Sequence, residues 1–180
     1  YDEIFNCIYG ENDDECTDPL KKYSDGDLLS DGEEIGLHLT DPMDMDTDDD
    51  GLSDYVESIS CHFGENNDEC TDPTNSDTDE DGINDYDERM TCIYGTNDDE
   101  CTDPILIDTD NDGINDNIEI DNCVYGTNDD ECTNPTLRDS DNDDLTDGFE
   151  ISENPYQTDP LLIDTDSGGR IDSLEINVDE

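Results

Sequence analysis

The sequence is poor in basic and in apolar residues. Its 180 residues include 5 Lys+Arg against 58 Asp+Glu, no tryptophan and no alanine, and the hydrophobic fraction is 29%. A chain with so little apolar surface and a formal net charge of -53 does not bury enough surface to fold alone. The composition therefore argues against a conventional enzyme core and predicts that a compensating cation orders the chain.

The same shortages exclude several functions. A polyanion repels phosphates, so nucleic acid is excluded as a direct partner, and direct contact with an anionic membrane is excluded for the same reason. The chain has no long apolar run, no phosphate-binding glycine loop and no His paired with a Ser or Cys nucleophile. We therefore expect no catalytic residues, no organic cofactor and no membrane insertion.

An internal repeat organises the acidic residues. Six times a Thr-Asx-Pro tripeptide is followed, after three residues, by a twelve-residue acidic segment. We number these segments loops 1 to 6, and their residues positions 1 to 12. The loops begin at Tyr23, Asp46, Asp77, Asp108, Asp139 and Asp164. The repeat predicts the units 1–22 (partial, with a cysteine box), 23–45, 46–76, 77–107, 108–138, 139–163 and 164–180 (incomplete).

The two ends of the chain fit the same register. Residues Tyr1 to Glu3 align with Tyr86 to Glu88, the last three positions of loop 3, and no atypical capping repeat closes the C-terminal end. Repeat proteins usually end in such caps. We therefore expect the chain to be a piece of a longer array, with any export signal outside it.

The acidic segments have the spacing of calcium-binding loops. Loop 2, from Asp46 to Glu57, matches D-x-[DN]-x-[DN]-G-x5-E at every fixed position, as do loops 3 and 4. In such a loop, carboxylates at positions 1, 3 and 5 converge on one ion. Position 7 adds a backbone carbonyl, position 9 a direct or water-mediated oxygen, and the glutamate at position 12 closes the shell. Glycine at position 6 permits the turn.

The other three loops depart from this pattern. Loop 5 has Asp144 at the glycine position, which Asp tolerates, and loop 6 has Gly168 in place of the position-5 carboxylate. Loop 1 has Tyr23 at position 1 and Leu28 at position 6, so we expect a weak or remodelled site there. A chain this acidic matches the pattern by chance in single copies, whereas six copies in fixed register favour a metal function.

The spacing predicts 32 metal-ligating residues. They are Asp25, Asp27, Asp31, Glu34, Asp46, Asp48, Asp50, Leu52, Asp54, Glu57, Asp77, Asp79, Asp81, Ile83, Asp85, Glu88, Asp108, Asp110, Asp112, Ile114, Asp116, Glu119, Asp139, Asp141, Asp143, Leu145, Asp147, Glu150, Asp164, Asp166, Asp172 and Glu175. Leu52, Ile83, Ile114 and Leu145 contribute through their backbone carbonyls. The predicted cofactor is Ca²⁺, with one or two ions per repeat.

The flanks of the loops are too short for EF-hands. An EF-hand needs a long helix on each side of its loop, and here a proline lies four residues before position 1. The predicted fold is an elongated, solenoid-like array of calcium loops with only short helical turns, such as Ser53 to Ile59. The sparse apolar residues at position 7 and just after position 12, including Ile35, Ile120, Ile151 and Ile176, predict a thin seam between units.

Eight cysteines form four boxes of the form C-x8-C. They are Cys7 and Cys16, Cys61 and Cys70, Cys92 and Cys101, and Cys123 and Cys132. Because each box is present or absent as a whole, we expect a disulfide inside each, worth roughly 2–3 kcal/mol, and an oxidising, extracellular location. Other connectivities stay open, and zinc is disfavoured by the spacing. The Asn-Asx-Asp-Glu run in each box is either a solvated turn or a second calcium site.

These residues resemble the thrombospondin type 3 repeat, particularly its prokaryotic form, and Thr102 to Glu119 is the stretch that resembles it most. The resemblance covers nearly the whole chain. It implies calcium ions wrapped by acidic residues with little regular secondary structure, in extracellular spacers, stalks or adhesive modules. The cysteine boxes depart from the animal repeat, so no disulfide pairing is transferred from it.

Three functions fit these features. The first is a calcium-stabilised rod in a surface stalk or extracellular fibre. The second is a calcium-dependent adhesin or binding module, with Tyr9, Tyr94 and Tyr125 as a recurring patch for a surface partner protein or glycan. The third is a filament formed by copies of this chain. The alternative role for these aromatic residues is packing against the disulfides, and we expect an enzyme in none of these cases.

Overall fold

The computed structural model describes residues 17, 20–60, 70–91, 101–121, 132–152 and 158–176. These ranges contain short helices and no β-strand. The helices are α1 (Asp31–Glu33), α2 (Asp54–Ser58), α3 (Asp116–Asp121), α4 (Asp147–Ile151) and α5 (Asp172–Ile176), together with two π-helical turns, Glu34–His38 and Asp87–Thr91. Each α-helix begins at position 9 of its loop, so the regular structure is limited to the loop exits.

Two of the helices, α1 and α4, have a side-chain N-cap at position 8. Ser30 accepts a hydrogen bond from the backbone N–H of Glu33, whose side chain in turn accepts from Ser30, forming a capping box. In α4 the Thr146 side chain accepts from the N–H of Phe149. The acidic residues in the first turn of each helix also interact favourably with its dipole. Local capping therefore supports the start of α1 and α4, and no α-helix in the described ranges exceeds six residues.

The interior of the described chain consists mainly of carboxylates. Only Leu29, Leu52 and Ile114 are buried hydrophobic residues, whereas the largest fully buried side chains are the position-12 glutamates. The predicted apolar seam is therefore discontinuous in these ranges. Ile83 and Leu145, at the same position 7, are only half-buried, and Ile151 is 39% exposed.

The chain divides into two compact units. The first comprises Tyr1–Thr78 with Asn84–Tyr86, and the second comprises Asp79–Ile83 with Asp87–Glu180. The boundary runs through loop 3. Positions 8 to 10 of loop 3 thus belong with loop 2 rather than with the residues on either side of them.

Candidate metal sites

The backbone of each loop turns at position 6. Gly51 and Gly113 adopt φ of 110° and 106° there, and the two non-glycine residues at this position, Leu28 and Asp144, also have positive φ, at 91° and 78°. The turn is therefore retained in the loops that depart from the sequence pattern. Leu28 adopts it at a cost, because a β-carbon clashes with the backbone in the left-handed region.

Position 4 of each loop is also left-handed, which the calcium-loop pattern did not predict. Its residues, with φ between 57° and 97°, are Gly26, Asp49, Glu80, Asn111, Asn142 and Ser167. Two left-handed residues separated by one other residue turn the chain tightly around the carboxylates. The sequence signal was weak, because only four of the six residues are of the Gly, Asn or Asp types that favour this region.

Backbone amides within the loop orient the first carboxylates. In loop 2 the Gly51 N–H donates to Asp46 Oδ2 at 3.0 Å, and the Asp50 N–H donates to Asp48 Oδ1 at 3.1 Å. The Leu52 N–H donates to Asp50 Oδ1 at 2.6 Å. The same three bonds recur in loop 4 and in loop 5. These hydrogen bonds orient the carboxylates toward the inside of the loop independently of a metal ion.

These carboxylates form groups that could hold a metal ion. Within each group, one oxygen from each residue lies within 4.8 Å of the others. Groups of this kind are Asp25, Asp27 and Glu34; Asp46, Asp48 and Asp50; Asp50, Glu57 and Asp85; and Asp108, Asp110 and Asp112. The donors are all carboxylate oxygens, which suit hard cations such as Ca²⁺ and Mg²⁺.

The position-12 glutamates of loops 1 and 2 are buried among other carboxylates. Glu34 and Glu57 are 0% exposed, and neither Glu34 oxygen has a hydrogen-bond partner. Burial, with the neighbouring carboxylates of Asp25, Asp27 and Asp54 adding to it, raises the pKa of Glu34 to about 8. Burial of this kind with only negative neighbours is costly unless a cation is bound.

The same effect recurs in the later loops. Burial, with neighbouring aspartates adding to it, raises the pKa of Glu150 to about 8 and of Glu119 to about 9. At position 3, burial and adjacent carboxylates raise the pKa of Asp110 and Asp141 to about 7. The predicted ligands are thus held close together in the environment that a bound divalent cation would neutralise.

The position-9 aspartates have a structural role that the sequence did not predict. In loop 2 both oxygens of Asp54 accept hydrogen bonds from Thr47 at position 2, Oδ1 from its N–H and Oδ2 from its hydroxyl, each at 2.8 Å. The pair recurs in every loop. A repeated signal was available, because position 2 is always Ser or Thr.

The Thr-Asx-Pro tripeptide connects this network to the preceding loop. The Asp72 N–H donates to the Thr78 hydroxyl at 2.8 Å, and Asp72 Oδ1 accepts from the Thr74 N–H at 3.0 Å, which forms a turn at the proline. The Thr71 hydroxyl donates to Glu57 Oε1 at 3.0 Å. At this joint the tripeptide therefore orients Glu57 of loop 2 and positions the start of loop 3.

Contacts between consecutive loops follow one pattern. The N–H of position 10 donates to Oδ2 of the position-5 aspartate in the preceding loop. In the first unit Tyr55 donates to Asp27 at 3.1 Å and Tyr86 to Asp50 at 3.0 Å. In the second unit the donors are Asn117, Gly148 and Ser173. Each position-9 aspartate is thus brought close to the preceding loop.

Loop 1 brings its ligands together despite its altered sequence. Asp25, Asp27 and Glu34 converge although Tyr23 supplies no carboxylate. Lys22 donates to the Tyr23 hydroxyl at 2.7 Å, and its ammonium lies 4.5 Å from the centre of the Tyr23 ring. The ammonium therefore lies beside the position that has lost its acid.

Loop 6 is altered more. Gly168 donates its N–H to Asp164 Oδ1 at 3.0 Å and to Asp166 Oδ1 at 2.7 Å, and a β-carbon at Gly168 would lie 2.6 Å from the latter oxygen. Glu175 at position 12 is only half-buried, unlike the corresponding glutamates. Loop 6 therefore lacks the position-5 carboxylate that takes part in the groups of loops 1 to 4.

Some of the predicted disulfide and metal-binding residues lie outside the described residues. Three described cysteines, Cys70, Cys101 and Cys132, are disulfide-bonded, and the other five cysteines lie outside the described residues. The same is true of Tyr9, Phe63, Tyr94 and Tyr125 and of the Asn-Asx-Asp-Glu runs. Disulfide pairing inside each box and a second calcium ion in each box therefore stay predictions. Metal ligation by the carbonyl oxygens at position 7 also stays a prediction.

The described residues therefore define a chain of acidic loops whose grouped carboxylates could hold metal ions. They include no helix long and apolar enough to cross a membrane. Comparison with known proteins gives no significant match to a family model, a curated protein or a solved structure. The thrombospondin type 3 resemblance consequently depends on the repeated residues alone.

Proposed function

We propose that this chain is a calcium-stabilised structural rod that forms part of an extracellular stalk or fibre. One observation supports this most strongly: glutamates at position 12, such as Glu34 and Glu57, are 0% exposed among other carboxylates. A bound cation offsets this burial and repulsion, so that metal binding supplies folding free energy. Metal-bound carboxylates, rather than apolar side chains, then form the interior of the fold.

Calcium fits these sites better than other common cations. The donors are oxygens only, which disfavours zinc and other metals that prefer nitrogen or sulfur ligands. Several carboxylates on flexible loops suit the high, irregular coordination of Ca²⁺ better than the octahedral shell of Mg²⁺. Sites in extracellular modules bind with Kd of roughly 10⁻⁴–10⁻³ M, and the disulfide-bonded cysteines fit the same compartment.

The hydrogen bonds that the loop carboxylates accept support a structural role. Their carboxylates accept hydrogen bonds from the turn, from position 2 and from the next loop, so loss of the ions would release the backbone as well as the ligands. Such a structural role requires no catalytic pocket. The rod and its place in a stalk or fibre are supported by the repetition of loops and contacts along the sequence.

The proposal is tested by small-angle X-ray scattering and thermal unfolding of the whole chain, with disulfides intact. In millimolar calcium we expect an elongated, rigid profile. After chelation we expect a flexible-coil profile approaching that of an unfolded chain, whose radius of gyration is roughly 45 Å at this length. Magnesium at equal concentration serves as the charge control. A scattering profile and a melting temperature that do not change with calcium would refute metal-dependent folding.

Two matched variants test the site itself. Glu119→Gln removes a fully buried acid of loop 4, whereas Glu80→Gln removes an exposed acid at position 4 of loop 3. Both lower the charge by one. We expect only Glu119→Gln to raise the calcium concentration needed for half-maximal folding, by about tenfold or more. Equal effects would mean that overall charge, and not these sites, controls the response.

A further inference from the structure

We propose that the position-9 aspartate of each loop is a ligand for the ion of the preceding loop, so that Asp85 of loop 3 completes the site of loop 2. The inference builds on the proposed calcium function and adds which residues share one ion. It replaces the expectation that position 9 serves its own loop. Neighbouring loops would then share ligands, and each site would be complete only after the next loop has docked.

The geometry of the first unit supports this assignment. One oxygen each from Asp50, Glu57 and Asp85 lies within 4.8 Å of the others, and all three residues are buried, at 8%, 0% and 0% exposure. Asp50 and Glu57 are positions 5 and 12 of loop 2, whereas Asp85 is position 9 of loop 3. The group therefore draws its oxygens from two loops.

An unsatisfied oxygen inside this group indicates a ligand. Glu57 Oε1 accepts from the Thr71 hydroxyl, but Glu57 Oε2 has no hydrogen-bond partner although it is buried. A buried carboxylate oxygen without a donor is rare in proteins. A cation between Glu57, Asp50 and Asp85 would satisfy this oxygen and neutralise all three groups.

Three further observations place Asp85 with loop 2. The N–H of the next residue, Tyr86, donates to Asp50 Oδ2 at 3.0 Å. The Tyr86 ring is so close to the loop 2 turn that a β-carbon at Gly51 would lie 3.0 Å from it. The compact unit that contains loop 2 includes Asn84–Tyr86 but not Asp79–Ile83. Positions 8 to 10 of loop 3 are therefore docked on loop 2.

Hydrogen bonding fixes Asp85 in this orientation. The Thr78 N–H donates to Asp85 Oδ1 at 2.9 Å and the Thr78 hydroxyl donates to Oδ2 at 2.7 Å. Each oxygen retains lone-pair capacity for a metal, because a carboxylate oxygen accepts about two bonds. Thr78 is thus a positioning residue that presents Asp85 to loop 2.

The test follows calcium binding at single loops by amide NMR of the whole chain. The Gly51 N–H donates to Asp46 of loop 2 and the Gly113 N–H to Asp108 of loop 4, so each amide reports occupancy of its own loop. Gly82 occupies the same position in loop 3. Asp85→Asn should raise the calcium midpoint of Gly51 about tenfold or more while leaving that of Gly113 unchanged.

Matched variants control for folding and charge. Glu57→Gln, which removes a loop 2 residue, should reproduce the Asp85→Asn effect at Gly51, whereas Asp49→Asn, an exposed position-4 change, should leave that midpoint nearly unchanged. If Asp85→Asn loses the Gly113 response as well and so fails to fold, Thr78→Val keeps every carboxylate but removes the hydroxyl that donates to Asp85 Oδ2. It should raise the Gly51 midpoint in the same way, and Thr78→Ser should not.

The alternative outcomes are distinct. If Asp85→Asn, or Thr78→Val in its place, shifts the midpoint of Gly82 and leaves that of Gly51 unchanged, position 9 serves its own loop and the shared site is refuted, with calcium binding intact. If no glycine amide of the unmodified chain responds to calcium, the proposed function fails and the shared site fails with it.

Discussion

At the scale of single residues, the loops depend on conformations that most side chains avoid. Positions 4 and 6 both lie in the left-handed region, yet Glu80 occupies position 4 of loop 3 and Leu28 position 6 of loop 1. A left-handed L-residue costs about 1–2 kcal/mol. The chain tolerates this cost because the carboxylates on either side of each turn are held by backbone amides.

Leu28→Gly should stabilise the chain. Leu28 has φ of 91° and is 66% exposed, so the variant removes backbone strain and loses little packing. After the added flexibility of glycine in the unfolded state, we expect a gain of about 0.5–1 kcal/mol, measured by thermal unfolding in saturating calcium. Leu37→Gly is the control, since Leu37 is equally exposed but helical. That variant should be destabilising, and a loss in both would contradict the prediction.

Much of the site could be predicted from the sequence, because ligand spacing is a local property. The six loops, the acidic positions and the turn at Gly51 all follow from one pattern. The hydroxyl at position 2 was missed because the calcium-loop pattern leaves that position open. The contact between Tyr86 and Asp50 could not be predicted, because it depends on how one loop docks on the next, and the ligand spacing within a loop does not specify that.

At the scale of the elements, each of the helices α2 to α5 docks on the preceding loop. Its first N–H groups are free of intrahelical partners, and the one at position 10 reaches the position-5 aspartate of that loop. Helices of three to six residues have little stability of their own. Capping in α1 and α4, and docking in α2 to α5, satisfy some of their N-terminal N–H groups and so support these short helices.

Gly148→Ala should weaken the docking of α4 in the second unit. The Gly148 N–H lies 2.7 Å from Asp112 Oδ2, and a β-carbon at Gly148 would lie 2.3 Å from the Asp112 carbonyl oxygen. Separating these groups should cost roughly 1–3 kcal/mol, measured by thermal unfolding in calcium.

The control for this variant is Gly32→Ala. Gly32 also occupies position 10, in α1, but has nothing within 4 Å of the corresponding β-carbon. Because alanine favours the helix, this variant should be neutral or stabilising by up to about 1 kcal/mol. Equal destabilisation by both substitutions would indicate a general intolerance of side chains at position 10 rather than a contact with Asp112.

At the scale of the whole chain, the carboxylate interior couples folding to both protons and metal. The metal-free fold holds acids whose pKa is raised by burial, to about 8 for Glu57 and about 9 for Glu119. Their ordinary values lie near 4.3. Between these limits the folded chain binds more protons than the unfolded chain, so its stability falls as pH rises.

We therefore expect opposite pH dependence with and without calcium. The metal-free chain should be most stable near pH 4 and lose stability up to about pH 8–9. With calcium the ligands must be deprotonated, so stability should increase over the same range. The measurement is the melting temperature from pH 4 to 9, with metal removed by desalting and then with calcium restored. Parallel curves in the two conditions would exclude competition between protons and calcium.

The contact from position 10 to position 5 is made across unequal lengths of chain. It joins residues 28 apart at Tyr55 and Asp27, 36 apart at Tyr86 and Asp50, and 30 apart at Ser173 and Asp143. The same contact between consecutive loops therefore forms across intervening sequences of different lengths. The stretch between position 12 and the next threonine is a natural insertion point, where a foreign peptide could be displayed at each repeat without altering the joint.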